Sequence, residues 1–513
     1  RFLFTKMSER TTGTVKEQEQ AKILNYFIDP AKKATQYEAF SRETLGIFLG
    51  TNSSGEQANI KDRLMEIFDE VKEARRFNPT YLGHMASEAC IPAMWAQILA
   101  TRLGSNTVAR EASEMESRLE PEAMRGLMKA IGYDEKKASG TFTSGGSMAV
   151  FTALDIAVKK VKQRFKAEWR QIKKPLVIFY NPFAHYSFHK AIDALGGPNR
   201  MIEKVPVAAP GFKMDIKDLK EKIRKYSAKS RIIAGVYAIA GETETGIVDN
   251  LSEIVEAAHQ NGIFAIADAA FGGPYRLSRK GKLFTSLNEF DATILDPHKT
   301  FYIPYSFSGV VLFRNRKDHV LLNLGVKAAY VKFENREKQL LRNLGYKNPS
   351  YSLGEKRFEG SAGAGSILAT VAVLRTLGLE GLSTVYDLTL DRIEHLNERL
   401  KSSKVLVPIH EPDINLLCFR IRPDIEARYK ISTKRRKEIV EETRVELDNG
   451  IVGQGGFFFS STDFELPNHK GKAESTDVWR ACLMNPRTTN EILDKAITEL
   501  EKLVIDKLES ASK

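Results

Sequence analysis

Cysteine is scarce in this chain: Cys90, Cys418 and Cys482 are the only three in 513 residues. An odd number at wide spacing excludes a disulfide framework and a cysteine-based metal cluster. Such sparing use of thiols leads to the expectation of a reducing, cytoplasmic setting. No run reaches the ~18 apolar residues needed to cross a bilayer. No internal repeat and no long low-complexity tract is visible. No signal peptide is visible either, although the first residue is Arg1 rather than Met, so a removed targeting segment stays open.

Charge of one sign is not concentrated anywhere. The 77 Lys+Arg exceed the 65 Asp+Glu to give +12, which invites a nucleic-acid or membrane reading. The basic residues are spread along the chain and mixed with acids. The densest run, Ser432-Thr433-Lys434-Arg435-Arg436-Lys437, leads straight into Glu438, Glu441 and Glu442. It reads as a solvated helix start, so neither nucleic acid nor membrane is expected as a partner. A basic field suits an anionic cofactor or substrate.

The length allows two or three domains. Residues 1–95 are expected to form a helical, dimer-forming segment, with an amphipathic stretch from Ile60 to Val71. Residues 96–380 are expected to form the large domain, and 381–513 a smaller C-terminal one. Apolar runs at 176–180, 232–238, 263–267 and 309–313 read as strands buried on both faces, with helical periodicity between them. That alternation predicts an α/β fold with a mostly parallel sheet covered by helices. A helix is expected from Ile367 to Leu377, strands around Asn415 to Arg422, a Gly/Phe-rich turn at 453–459, and a closing helix from Thr489 to about Leu508.

Chemistry is expected where apolar runs end. Lys299 lies in Asp296-Pro297-His298-Lys299, just after the run 292–295. Asp268 closes the run 263–267 before Gly272-Gly273. A lysine amine can form a Schiff base with pyridoxal 5′-phosphate, and a buried carboxylate can hold the pyridine nitrogen protonated. Ser144, Gly146 and Ser147 precede a helical pattern, where backbone N–H groups can approach a phosphate. His185, after the run 176–180, is a candidate to stack on the ring. Taken singly, each has a plainer reading: a helix-capping turn, a structural histidine, an N-cap aspartate, a surface lysine. Their order within one α/β region is what points to the cofactor.

These residues carry a resemblance. The chain resembles the group II pyridoxal-dependent amino-acid decarboxylases over roughly residues 75–490. Tyr81-Leu82-Gly83-His84-Met85-Ala86-Ser87 is similar to the family's N-terminal Gly-His-Met/Leu-x-Ser segment. His185-Tyr186-Ser187-Phe188-His189-Lys190-Ala191 is similar to its His-x-Ser-x-x-Lys-Ala signature. Gly241-Glu242-Thr243-Glu244-Thr245-Gly246 resembles its Gly-x-Thr-x-x-Gly turn, and Asn485-Pro486-Arg487-Thr488-Thr489 a C-terminal pattern. Asp296-Pro297-His298-Lys299 looks like the lysine motif. Within the family, the microbial tyrosine decarboxylase branch looks most similar, through His298-Lys299-Thr300-Phe301-Tyr302-Ile303-Pro304-Tyr305 and Glu359-Gly360-Ser361-Ala362-Gly363-Ala364. Two positions depart: Ala362 stands where relatives usually carry Lys or Arg, and Met148 where many carry Glu.

The resemblance implies the type I aminotransferase-like fold and a homodimer with active sites at the subunit interface. It implies Lys299 as the cofactor lysine, Asp268 at the pyridine nitrogen and His185 on the ring face. It implies Ser144, Gly146, Ser147 and His298 around the phosphate, with Thr243 and Ala270 lining the ring. Tyr330 is the implied proton donor on a mobile loop; His84 and Tyr305 face the substrate. The implied reaction is decarboxylation of an L-amino acid, with tyrosine or another aromatic amino acid first. Aspartate, glutamate or diaminobutyrate, a carbon–carbon lyase resembling sphingosine-phosphate lyase, and a non-catalytic binding protein are the alternatives. No metal is implied.

Overall fold

The computed structural model describes residues 15–27, 78–86, 88–108, 112–165, 175–196, 202–229, 231–323, 357–449, 456–468 and 470–510. The stretch from Ile60 to Val71 and the loop carrying Tyr330 lie outside them.

One sheet contains β1 (Ser139–Thr143), β2 (Leu176–Tyr180), β3 (Ile202–Pro206), β4 (Ile232–Ile239), β5 (Phe264–Asp268), β6 (Ala292–Leu295) and β7 (Gly309–Phe313). The spatial order is β1-β7-β6-β5-β4-β2-β3. Pairs β2–β3, β2–β4, β4–β5 and β5–β6 are parallel, while β7 runs against both of its neighbours. The four apolar runs read as strands are all strands. Their lack of polar alternation has a physical cause, because helices cover both faces. Val177 and Phe179 of β2 enter one core with Leu127 and Ile254, while Leu176 and Ile178 enter the other with Leu154 and Phe188. The mixed sheet brings the carboxyl ends of β1, β2, β4, β5 and β6 to one edge, where β7 begins.

A second, antiparallel sheet has the order β10-β11-β9-β8, built from β8 (Leu406–Pro408), β9 (Leu416–Ile421), β10 (Ser460–Pro467) and β11 (Ala473–Cys482). The helix expected at 367–377 runs from Gly365 to Thr376, and a longer helix, Gly378–Lys401, follows. Gly378 has φ +67, a left-handed turn that glycine adopts without a Cβ clash. The closing helix spans Asn490–Ser510. Segment 78–84 packs along the second sheet. Tyr81 bridges Phe458 in parallel, and the Cys482 N–H donates to the Leu82 carbonyl at 2.6 Å. Among the described residues no single helix is long and apolar enough to cross a membrane, and no group of three metal-ligating side chains gathers.

The basic run at 432–437 needs a correction. It does start a helix, Thr433–Asn449, but it is not a solvated face throughout. The Lys434 side chain is 89% exposed, whereas that of Arg436 is only 2% exposed. Arg436 Nε bonds Glu426 Oε1 at 2.8 Å, and Arg420 Nη2 bonds Glu426 Oε2 at 2.6 Å. One buried carboxylate is therefore shared by two buried guanidinium groups, and Glu474 Oε1 gives Arg436 a second carboxylate at 2.5 Å. Spacing along the helix could not show this, because Glu426 and Arg420 belong to other elements.

Removing one member of a buried ion network leaves an uncompensated charge. Glu426→Ala is expected to destabilise the protein by about 3–5 kcal/mol, read as a lowered denaturant midpoint. A loss under ~1 kcal/mol would mean that water reaches Arg420 and Arg436.

Candidate active site

Five strand ends and the start of β7 gather around Lys299. After β6, Pro297 opens a one-turn helix, Pro297–Thr300, whose first turn Asp296 closes by accepting the Lys299 N–H at 2.8 Å. Lys299 Nζ lies 3.0 Å from Asp296 Oδ2, with both side chains largely buried. Burial opposes the lysine's charge, but Asp296, and Asp268 beyond it, outweigh that cost, so its pKa lies above the ordinary lysine value. Asp296 Oδ1 is buried without a hydrogen-bond partner among the described residues. His298 directs Nδ1 at Ser308 Oγ, 2.7 Å away, and burial holds its pKa below the usual histidine value.

Asp268 ends β5. Its Oδ2 accepts from the Tyr237 hydroxyl at 2.6 Å and its Oδ1 from the Ala270 N–H at 3.2 Å. The Ala270 carbonyl accepts the Asp296 N–H at 3.1 Å, which joins the β5 and β6 ends. His185 follows β2. Burial lowers its pKa first; Asp268 pulls it up, and Lys299 pushes it down. Those influences place His185 in one electrostatic cluster with both. The Ser187 N–H lies 3.4 Å from His185 Nδ1 and the Ser187 hydroxyl 2.8 Å from it, so Nδ1 accepts and Nε2 carries the ring proton.

The turn after β1 leads into the helix Gly146–Phe165. Gly145 accepts the N–H groups of Met148 and Ala149 at 3.0 and 3.1 Å. Ser144 and Ser147 are exposed. A Cβ on Gly146 would sit 2.6 Å from Asp296 Oδ2, and one on Gly309 would overlap the Gly145 backbone. These two glycines let the turn close on the lysine motif. The Ser144 N–H donates to Glu359 Oε1 at 2.7 Å, and Glu359 Oε2 is buried without a hydrogen-bond partner among the described residues. An anionic oxygen already rests on a turn whose N–H groups suit a phosphate. An amine, a carboxylate fixed by two donors, a neutral imidazole and an anion-accepting turn fit a phosphorylated pyridine aldehyde.

Thr243 sits in the turn after β4, between Gly241 at φ +103 and Gly246 at φ +73. Buried Glu242 fixes that turn by accepting the Glu244 and Thr245 N–H groups at 2.9 and 2.6 Å. His84 and Tyr305 lie at the rim. Tyr305 is 55% exposed, with its ring 4.0 Å from that of His298. His84 is exposed and packs on Tyr81 and Phe458, at 5.9 and 5.2 Å between ring centroids. Partial burial, then Arg480 and Arg444, lowers its pKa. Met148 is half-buried, and Ala362 is buried, its carbonyl accepting the Thr107 N–H at 2.8 Å.

Arg480, Tyr237 and Glu359 have no assigned role in the sequence reading. Arg480 on β11 is 5% exposed. Its Nη2 donates to the Thr243 carbonyl at 2.6 Å and its Nη1 to the Gly83 carbonyl at 2.7 Å. An arginine inside Val478-Trp479-Arg480-Ala481-Cys482 was the available signal, since a charge in an apolar strand is costly unless it is held.

A family profile described as "Pyridoxal-dependent decarboxylase conserved domain" matches residues 58–422. The chain is 26% identical to an aspartate 1-decarboxylase of Aliivibrio fischeri, over 83% of this chain and 79% of the relative. It is 25% identical to an L-2,4-diaminobutyrate decarboxylase of Rhizobium meliloti (82% and 77% covered) and 25% identical to an L-tyrosine decarboxylase of Levilactobacillus brevis (76% and 74%). The crystal structure of Oryza sativa TDC with PLP and tryptamine superposes with a TM-score of 0.74 at 15% identity, covering 97% of this chain and 99% of that one. That likeness concerns the fold. With the profile covering more than half of the chain, and with an amine, a carboxylate and an anion turn gathered at one sheet edge, this protein belongs to the pyridoxal-dependent decarboxylases: a carboxy-lyase whose cofactor is pyridoxal 5′-phosphate.

Proposed function

We propose that the protein removes the α-carboxylate of an aromatic L-amino acid, tyrosine first, releasing the amine and carbon dioxide. The carrying observation is the rim beside Arg480, where the rings of Tyr81 and Phe458 stack 4.9 Å apart and His84 packs on both. A flat side chain finds aromatic partners there. Arg480 is the buried cation beside that rim. One observation favours an acidic substrate instead. The Arg444 guanidinium lies 6.0 Å from the Phe458 ring and, like Arg480, acts on His84. Arg444 is tied to Glu441 at 2.5 Å, which weighs against its binding a second substrate carboxylate. Mass spectrometry of the protein and cofactor with single amino acids tests the choice. Tyramine from tyrosine supports the aromatic reading; turnover of aspartate, glutamate or diaminobutyrate alone removes it.

When bound, the cofactor supplies an aldehyde that links to amines and a ring that accepts the electron pair left by carbon dioxide. The chain's residues do the rest. Lys299 provides the amine that holds the aldehyde, and it must first shed the proton that Asp296 stabilises. Asp268 keeps a proton at the ring nitrogen. His185, neutral at physiological pH, offers its face to the ring without adding a charge. Ser144, Gly146, Ser147 and His298 would hold the phosphate, which would take the Ser144 N–H now donated to Glu359. Thr243 and Ala270 line the ring, while His84 and Tyr305 border the substrate. Tyr330 is the proposed donor of the proton that replaces carbon dioxide. A homodimer, with that loop reaching the partner's site, is part of the same proposal.

Borohydride reduction followed by peptide mapping should place the pyridoxyl group on Lys299 and on no other lysine. The rate at which apoprotein takes up the cofactor should rise as pH increases, because the raised Lys299 pKa keeps the amine protonated at neutrality. Asp296→Asn removes the stabilising charge and should move that profile to lower pH. A profile unchanged or moved upward would break the link between the pair and loading.

Tyr330→Phe should retain the cofactor while turnover to amine falls on the order of 10²–10⁴-fold, the usual contribution of a general acid. With protonation slowed and oxygen present, aldehyde and ammonia should appear. An unchanged amine yield and rate would pass the role to Tyr305 or His84.

A further inference from the structure

We infer that Tyr237 is a positioning residue, whose buried hydroxyl holds Asp268 as the carboxylate and so keeps the shared proton on the cofactor's ring nitrogen. This rests on the assignment of Asp268 to that nitrogen.

Tyr237 lies in β4, one strand away from Asp268 on β5. Its side chain is completely buried, packed on Phe188 at 4.7 Å between ring centroids. Nothing about packing demands the hydroxyl, since phenylalanine would occupy nearly the same volume. A phenol without a partner is costly to bury. This one is matched by Asp268 Oδ2 at 2.6 Å, the short distance of an O–H donating to a charged oxygen. Burial and the adjacent Asp268 hold the Tyr237 pKa well above its ordinary value, so at working pH it only donates.

A hydrogen bond to the charged form of an acid favours that form. Asp268 can share one proton with a ring nitrogen in two ways: carboxylate with protonated ring, or carboxylic acid with neutral ring. Donation from Tyr237 and from the Ala270 N–H both favour the first. The protonated ring is the better electron acceptor, so the hydroxyl acts on turnover without touching substrate or cofactor.

The test loads wild type, Tyr237→Phe and Asp268→Asn with pyridoxal 5′-phosphate labelled with nitrogen-15 at the ring. The nitrogen chemical shift is read at neutral pH alongside kcat, KM and the cofactor dissociation constant. Wild type should show the protonated-ring position. Tyr237→Phe should move the signal towards the neutral-ring position. Its kcat should fall about tenfold, with KM little changed. A fluorinated tyrosine introduced at 237 keeps the ring in place and strengthens the donor, and it should retain the wild-type signal. Wild-type signals in Tyr237→Phe, or a neutral-ring signal with the fluorinated tyrosine, overturn the inference. A neutral ring in wild type, or a wild-type signal in Asp268→Asn, instead overturns the assignment of Asp268, and the role of Tyr237 falls with it.

Discussion

Much of this fold answers to one electrostatic constraint: a buried lysine amine held between two carboxylates. Asp296 touches Lys299 directly, at 3.0 Å, and Asp268 acts on it from the next strand. Charges removed from water must be paired or hydrogen-bonded. Asp268 has two donors, whereas Asp296 has the lysine on one oxygen and, among the described residues, no hydrogen-bond partner on the other. Asp268 is thus fixed by its donors, while Asp296 lies between Lys299 and the turn proposed to hold phosphate.

Holding these groups together requires backbone segments to approach more closely than side chains allow. Gly146 meets Asp296, Gly309 meets the Gly145 backbone, and Gly272 meets the Ala240 carbonyl. Each contact joins the end of one strand to the turn after another. A parallel sheet brings its carboxyl ends to one edge, but only glycine allows the turns to meet there. Antiparallel β7 adds its own start, and with it Ser308 beside His298.

The second sheet contributes through Arg480. By holding the carbonyls of Gly83 and Thr243, it fastens the N-terminal segment and the turn after β4 to β11. Glu359 enters from yet another part of the chain and rests on the Ser144 N–H. The rim of the site is thus assembled from segments far apart in sequence, on a base whose parts each follow one strand.

That division separates what sequence alone determined from what tertiary structure decided. The placement of Lys299, Asp268, His185 and the turn at 144–147 at strand ends was legible because each closes a local pattern, an apolar run followed by a polar or glycine-rich turn. The strands at 176–180 and 309–313 were legible because burial on both faces leaves an unbroken apolar run. Burial of Arg436 was not legible, since its partner Glu426 lies on a separate helix and its own neighbours are charged. Tyr237 read as one more residue of an apolar strand, because Asp268 is 31 positions away. Arg480 is separated from Thr243 by 237 positions and from Gly83 by 397. Local pattern reports which residues can enter a strand or a turn. Which buried charge meets which partner depends on strand order and chain crossing, and these exist only once the sheets have formed.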